Sequence, residues 1–400
     1  MASLTHRGRT AVAGGLTALA GGLLLGQPAL TSVGVLLALL PLLGLAALRR
    51  DRPVTVQRTL EPRRVPAGQP ARVQLTLGGG AGAGAVLIED RVPWALGVRP
   101  RFVLPTARRA WTTHVDYTVR SDVRGRFVIG PATMRTTDPF GMTERTATVP
   151  EVGDLVVTPT VVPLPAAGRA GAWTGAGDNR PRAFANGSAE DVTVREYRHG
   201  DPLRRVHWRT SARTGELMVR REEQPWQSRA TVLLDNRASA HRGHGAGSSL
   251  EAAVTAAASV AAHLATRGFV VRLVTADGPP SGDAWHDRAT PADADRLLEE
   301  LAVVEPVRRT GLATGWLDDT SRHGMLVAVL GDVTDDRATL RRLRHHADPA
   351  YALVLDVAQW AGSGPRDDAA AALRGSGWRA VRIAPDTALP AAWRELGAMA

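Results

Sequence analysis

An uninterrupted run of 38 residues without a charge, Ala11 to Leu48, constrains this chain more than any other feature. The run "AVAGGLTALAGGLLLGQPALTSVGVLLALLPLLGLAAL" is too long for one average membrane span of about 20 residues and fits two short ones. Gly26-Gln27-Pro28 places a turn signal in its middle. The pattern predicts a helical hairpin, about Ala11–Leu25 and about Leu30–Leu48. A signal peptide is the competing reading. The second apolar run, and the lack of a clear cleavage site followed by a polar start, argue against it. Arg7 and Arg9 precede the run, Arg49, Arg50 and Arg52 follow it, and the turn carries no charge. The positive-inside rule then predicts that both termini and the remaining domains lie in the cytoplasm, held at the inner face of the cell membrane.

The rest of a 400-residue chain is too long for one ordinary domain, and 44% hydrophobic residues suffice for folded cores. A formal charge of +10 invites a polyanion partner. Yet all 49 basic residues are Arg and none is Lys, with Ala and Gly also abundant, a bias that a GC-rich genome produces through its codons. Nucleic acid is therefore not the expected partner. The absence of Cys excludes disulfides, thiolate zinc sites and cysteine nucleophiles.

From residue 53 to 165 the hydrophobic period is two. "ARVQLTL" sets Val73, Leu75 and Leu77 against Arg72, Gln74 and Thr76, and "HVDYTVR" repeats the alternation. Gly and Pro clusters separate further strands in "VTVQRTLEP", "AVLIED", "RGRFVIGPATMRTTD" and "DLVVTPTVV". An immunoglobulin-like β-sandwich is the expected class. Asp138-Pro139-Phe140-Gly141 reads as a turn whose Phe140 packs inward. Residues 166–189, rich in Gly, Ala and small polar side chains, read as a flexible linker.

From residue 230 to 400 strands alternate with helices. "ATVLLD", "FVVRLVTADG", "GMLVAVLGD", "AYALVLDVAQW" and "WRAVRIAP" read as strands. A helix after the first opens with a capping box, Ser248 and Glu251, and closes at Gly268. The alternation implies an α/β doubly wound parallel sheet, where ligands sit at the carboxyl ends of strands. Asp235 and Asp332 both stand at such ends. No Gly-rich phosphate loop follows the first strand, which excludes the common nucleotide sites.

Between these domains, residues 190–229 carry the densest polar chemistry: "REYRHGDPLRRVHWRTSARTGELMVRREEQ". Asp201-Pro202 reads as a helix start, an acid cap before a first-turn Pro. Trp208 is expected to pack against a neighbouring element, and "GELMVRREE" to run as a strand toward Val232. Three readings compete. Asp201, His207 and Ser211 supply the residue types of a hydrolase triad, but His207 and Ser211 share one helix and no nucleophile elbow accompanies them. Arginines interleaved with Tyr197 and Trp208 resemble a nucleic-acid grip, but Glu196, Asp201, Glu216 and Glu222 break any phosphate track. The third is an interdomain brace or docking surface: Arg195, Glu196, Tyr197, Gly200, Asp201, Arg205, Trp208, Ser211 and Arg213, built on Arg–carboxylate forks and aromatic anchors. His345-His346 face different sides of a helix, and His241 with His244 lack a third ligand, so neither pair reads as a metal site.

The succession of apolar hairpin, β-domain, "DPFG", charged segment and α/β domain resembles the bacterial domain of unknown function 58 family. Its signature is matched by Arg195-Glu196-Tyr197, Gly200-Asp201, Arg204 four residues before Trp208, and Ser211-Ala212-Arg213. The resemblance implies that the last domain is von Willebrand factor type A-like. It also implies a MoxR-type AAA+ ATPase as partner, often together with a transglutaminase-like membrane protein. Type A domains hold Mg²⁺ on Asp-x-Ser-x-Ser plus a later Thr and Asp. Here the run is Asp235-Asn236-Arg237-Ala238-Ser239, with Asp332 as the later acid. Arg237 replaces a ligand and is expected to sit in the site itself, paired with Asp235 or Asp332. The expected protein is thus a non-enzymatic membrane adaptor for assembly or maturation of membrane or cell-envelope complexes, without cofactor. A metal-dependent ligand-binding type A module is the alternative, and a hydrolase ranks last.

Overall fold

The apolar run folds as two helices that touch through glycine. In a computed structural model, residues 2–50, 55–79, 86–104, 111–166, 194–197, 208–220, 229–280, 291–318, 324–364 and 368–399 are described. Helix α1 (His6–Leu24) is capped by Thr5, whose hydroxyl accepts from Gly8 N at 3.2 Å. Gly26, at φ +62°, turns the chain into α2 (Pro28–Arg50). Both helices run beyond the uncharged residues, because the cap at Thr5 lies upstream of Arg7 and Arg9. A Cβ on Gly34 would lie 2.5 Å from Leu19 N and 2.8 Å from Gly15 O, so only glycine permits this backbone approach. Leu16, Leu23, Leu36, Leu39, Leu42 and Leu43 face outward and stay exposed. Of the described helices, α2 alone is long and apolar enough over Pro28–Leu48 to cross a membrane.

The alternating segment forms strands around one core. One sheet is ordered β1-β10-β9-β5-β6, from Ala2–Leu4, Thr143–Val149, Ala132–Thr137, Val86–Asp90 and Arg101–Leu104. A second, β2-β4-β7, uses Thr55–Glu61, Pro70–Gly79 and Trp111–Arg120, and a third, β3-β11-β8, uses Arg64–Pro66, Gly153–Thr158 and Gly125–Ile129. Leu75, Leu77, Ile88, Ile129 and Leu155 are fully buried among them. The first strand precedes the helices: Ala2, Ser3 and Leu4 pair with Arg145, Glu144 and Thr143 of β10. The chain therefore enters α1 and leaves α2 at the same β-domain, and helices and strands up to Val161 form one compact unit rather than an anchor and a separate domain.

The second unit takes most of the chain from Val162 onward. Its sheet is wholly parallel, ordered β15-β14-β16-β17-β18, from Val270–Thr275, Arg229–Leu234, Met325–Leu330, Ala350–Leu355 and Arg379–Ile383. Strands buried on both faces explain the continuous apolar runs "VLL" and "MLVAVL". α6 (Arg337–His346) and α8 (Ala369–Gly375) cover one face through Leu340, Leu343, Ala370 and Leu373. α4 (Ser249–Thr266) lies against β14, β15 and β16, and α9 (Leu389–Ala398) against β18. Ser248 caps α4 by accepting from Glu251 N at 3.3 Å. Residues 167–193, which include nearly all of the expected linker, lie outside the described residues.

Candidate functional site

A sheet of this order reverses direction between β14 and β16, and such a crevice is where doubly wound proteins bind ligands. Here Arg237 fills it. Its Nε donates to Asp235 Oδ1 at 2.9 Å and its Nη2 to Asp235 Oδ2 at 2.8 Å, a bidentate fork. The same Nη2 lies 2.7 Å from Asp336 Oδ2. Nη1 donates to the Thr310 carbonyl at 3.1 Å and Nη2 to that of Asp332 at 3.3 Å. Asp235 is fully buried and Arg237 almost so. The Asp235 carboxylate, hydrogen-bonded to the guanidinium, raises the arginine's pKa against the opposing cost of burial, so the cation is permanent.

The expected pairing of Arg237 with Asp235 or Asp332 is met by Asp235, and a further acid joins it. Asp235 pairs with Arg237, but the second carboxylate is that of Asp336, not Asp332. The Asp332 side chain accepts from Thr334 N at 3.2 Å and Thr334 Oγ at 2.6 Å, closing its own turn, and offers Arg237 only its main-chain oxygen. Asp336 carries no motif; only its place just before α6, one turn after β16, distinguishes it. Ser239 is exposed, and its carbonyl accepts from Arg242. Among the described residues no three His, Asp or Glu side chains form a metal-holding group.

Residues beside the fork are equally committed. His241 is buried; its Nε2 lies 2.6 Å from the Asp235 carbonyl and so carries the proton, leaving Nδ1 to accept from the Ser249 hydroxyl at 3.0 Å. Burial holds the His241 pKa below the usual histidine range, so the ring is neutral. Asn236 Oδ1 accepts from Ala276 N at 2.9 Å, linking the ends of β14 and β15.

In the charged segment, β12 (Val194–Glu196) pairs antiparallel with β13 (Met218–Arg220). The strand after Gly215 therefore pairs with the segment's own start, and the residues that would carry it on toward Val232, 221–228, lie outside the described residues. Between them stands α3 (Trp208–Thr214). Ser211, buried, accepts from Met218 N at 2.8 Å and so ties α3 to β13. Tyr197 is half-buried, and its N–H donates to the Leu217 carbonyl at 2.8 Å. Arg213 is exposed. Trp208, expected to pack against a neighbouring element, is 67% exposed. Arg195 and Glu196 lie on β12, and Gly200, Asp201, Arg205 and His207 lie outside the described residues.

Residues 193–359 match the family model described as Protein of unknown function DUF58. This region is similar to the DUF58 family. It spans α3, Trp208, Ser211 and the whole Arg237 cluster, and ends within the short helix after β17. No curated protein matches the chain. Among solved structures, the CARDB domain of a Pyrococcus furiosus protein is similar at 13% identity over 27% of this chain and 90% of its own, with a TM-score of 0.19. The PKD domain of an M14-like peptidase from a Thermoplasmatales archaeon is 14% identical over 28% and 96%, TM-score 0.17. Cwp6 from Clostridium difficile is 10% identical over 82% and 53%, TM-score 0.18. Likenesses this slight add nothing to the fold read from the strands.

Two features outside the DUF58 region escaped the sequence reading. Arg58 and Asp90 form an ion pair of 2.6 Å with side chains 1% and 0% exposed, joined by the Tyr117 hydroxyl, in a segment read only for its alternation. The turn at Asp138 is inverted relative to expectation. Asp138 is the buried member, accepting from Met142 N at 3.0 Å, Thr143 N at 2.9 Å and Thr143 Oγ at 2.8 Å. Phe140 is 55% exposed. The carboxylate closes the turn, so the ring is not needed inside.

Proposed function

We propose that this chain is a membrane-anchored, non-enzymatic adaptor whose DUF58 region is the partner of a MoxR-type AAA+ ATPase, in assembly or maturation of membrane or cell-envelope complexes. A transglutaminase-like membrane protein is the second expected partner. The observation that carries the reading is Arg237. It closes the crevice where a sheet of this order would otherwise hold a ligand or, in a type A-like domain, a metal. The same guanidinium weighs against the alternative of a metal-dependent module. The bond that Ser211 accepts from the Met218 main chain weighs against the hydrolase reading.

Membrane anchoring rests on the length and exposure of α2 and on the apolar leucines that both helices turn outward. The pairing of β1 with β10 favours two spans over one, because both ends of the hairpin meet the same β-domain. Flanking arginines favour the cytoplasm for that side. Trp208, exposed on α3, has the chemistry of an interface anchor. Trp208→Ala is expected to leave the full-length protein folded while weakening its capture of the cognate ATPase. Unchanged capture by a folded variant rejects Trp208 as anchor, and no capture by the wild type rejects the partner.

A further inference from the structure

The Asp138–Gly141 turn has no part in the adaptor surface proposed above, yet the fold fixes it tightly. Thr5 N donates to the Met142 carbonyl at 2.9 Å, and Thr5 Oγ to the Gly141 carbonyl at 2.6 Å. Gly8, in the first turn of α1, abuts the Met142 carbonyl so closely that no Cβ fits. Gly44 of α2 meets the Asp138 carboxylate in the same way. Arg145 Nη1 donates to the Leu48 carbonyl at 3.4 Å, and Leu48 is buried. The turn is thus wedged between the start of α1 and the last turns of α2, where the apolar run gives way to Arg7 and Arg9 on one helix and Arg49 and Arg50 on the other. At this level Phe140 is exposed, and the Arg7 guanidinium lies 3.8 Å from where a Gly141 Cβ would stand.

We propose that this turn is a membrane-surface element, with Phe140 seated in the interfacial layer of the bilayer that receives α1 and α2. The inference rests on the anchoring reading and adds a lipid contact made by the β-domain itself. Length supports it. With Gly8 and Gly44 held against the turn, the free helix lengths are Thr10–Leu24 and Pro28–Leu43. At 1.5 Å per residue these rise about 22 and 24 Å, short of a hydrocarbon core of about 30 Å. A short hairpin draws its base toward the bilayer. An aromatic ring beside arginines is the composition that the headgroup layer accepts.

The chain has no cysteine, so single-Cys variants can be spin-labelled in an otherwise native protein. Full-length F140C, L36C and V98C are compared in nanodiscs of phosphatidylcholine and phosphatidylglycerol. Leu36 is an outward residue of α2, and Val98, 93% exposed, lies in a β-domain loop. The label at 140 should be several-fold less accessible to a soluble nickel chelate than that at 98. It should also be the one most broadened by a nickel-chelating lipid headgroup. If the label at 36 is as accessible as that at 98, the anchoring reading fails and this proposal with it. If 36 is shielded while 140 matches 98, or if 140 is shielded without broadening by the lipid-borne nickel, the anchor stands and the proposal is overturned.

Discussion

Replacing Arg237 with Ser separates the two roles a cation can play in the crevice. The substitution removes a charge that holds two carboxylates, Asp235 at 2.8 Å and Asp336 at 2.7 Å, and leaves both with no positive partner at that point. Breaking a buried pair by deleting one partner costs about 3–5 kcal/mol, because the surviving charge stays desolvated. For a domain of this size about 1 kcal/mol corresponds to 2–4 °C in Tm, so the α/β unit should melt roughly 6–20 °C lower. The variant also leaves an all-oxygen set: two carboxylates and the carbonyls of Thr310 and Asp332, which now accept from Arg237. Hard divalent cations prefer such donors. Mg²⁺ or Ca²⁺ at about 100 times its Kd should restore about 2.7 kcal/mol.

The assay is thermal unfolding of the full-length protein in detergent, with chelator or with excess divalent ion, for wild type, R237S and R237M. R237M fills a similar length with an apolar side chain and adds no ligand oxygen, so it should gain less from divalent ions than R237S. The wild type should not respond. An R237S protein as stable as wild type in chelator would refute the claim that the guanidinium holds the two acids. A wild type stabilised by divalent ions at this cluster would refute the claim that the site is closed.

Three other outcomes follow from the structure. Arg58→Ala should destabilise the β-domain by about 3–5 kcal/mol, read by denaturant unfolding, because Asp90 then stays buried with only the Tyr117 hydroxyl. Burial lowers the His241 pKa in the folded state below its 6.5 reference, so the unfolded chain binds the proton more readily. Stability should therefore be constant above about pH 6.5 and fall as pH drops toward the folded value, by at most about 1.4 kcal/mol per pH unit for this group, and His241→Gln should flatten that fall. Gly34→Leu should force α1 and α2 apart, costing about 1–3 kcal/mol and lowering the melting temperature, in detergent, of the unit that holds both helices.

Much of the fold is legible in the sequence where a single period governs a segment. The five strands of the parallel sheet are each an apolar run bounded by turn residues, and the Ser248 cap announces α4 from its side chain alone. Strands β1, β3 and β6 are not legible: three or four residues hold too little alternation, and β1 exists only because β10 offers an edge to Ala2–Leu4. The site divides in the same way. Arg237 stands out because it departs from a known spacing, whereas Asp336 is an ordinary acid beside a helix until the fold brings it to the guanidinium. Phe140 and Trp208 are exposed for one reason. Large aromatics are usually buried, but local hydrogen bonds already close both of their segments, at Asp138 and at Ser211.

Those two segments and the Arg237 cluster share a physical logic that bears on function. In each, a polar side chain satisfies the main chain around it and frees a neighbouring group from structural duty. Asp138 does so for Phe140, and Ser211 for Trp208. A metal in the crevice would leave as its concentration fell, and the acids beside it would then repel each other. A guanidinium cannot leave and, at any physiological pH, cannot lose its charge. A domain built this way keeps its shape without an ion, and any partner that reads the top of its sheet reads a fixed surface. On the adaptor reading proposed above, regulation would come from the partner ATPase or the membrane rather than from ion occupancy, which is the physical reason to look for such an ATPase beside this protein.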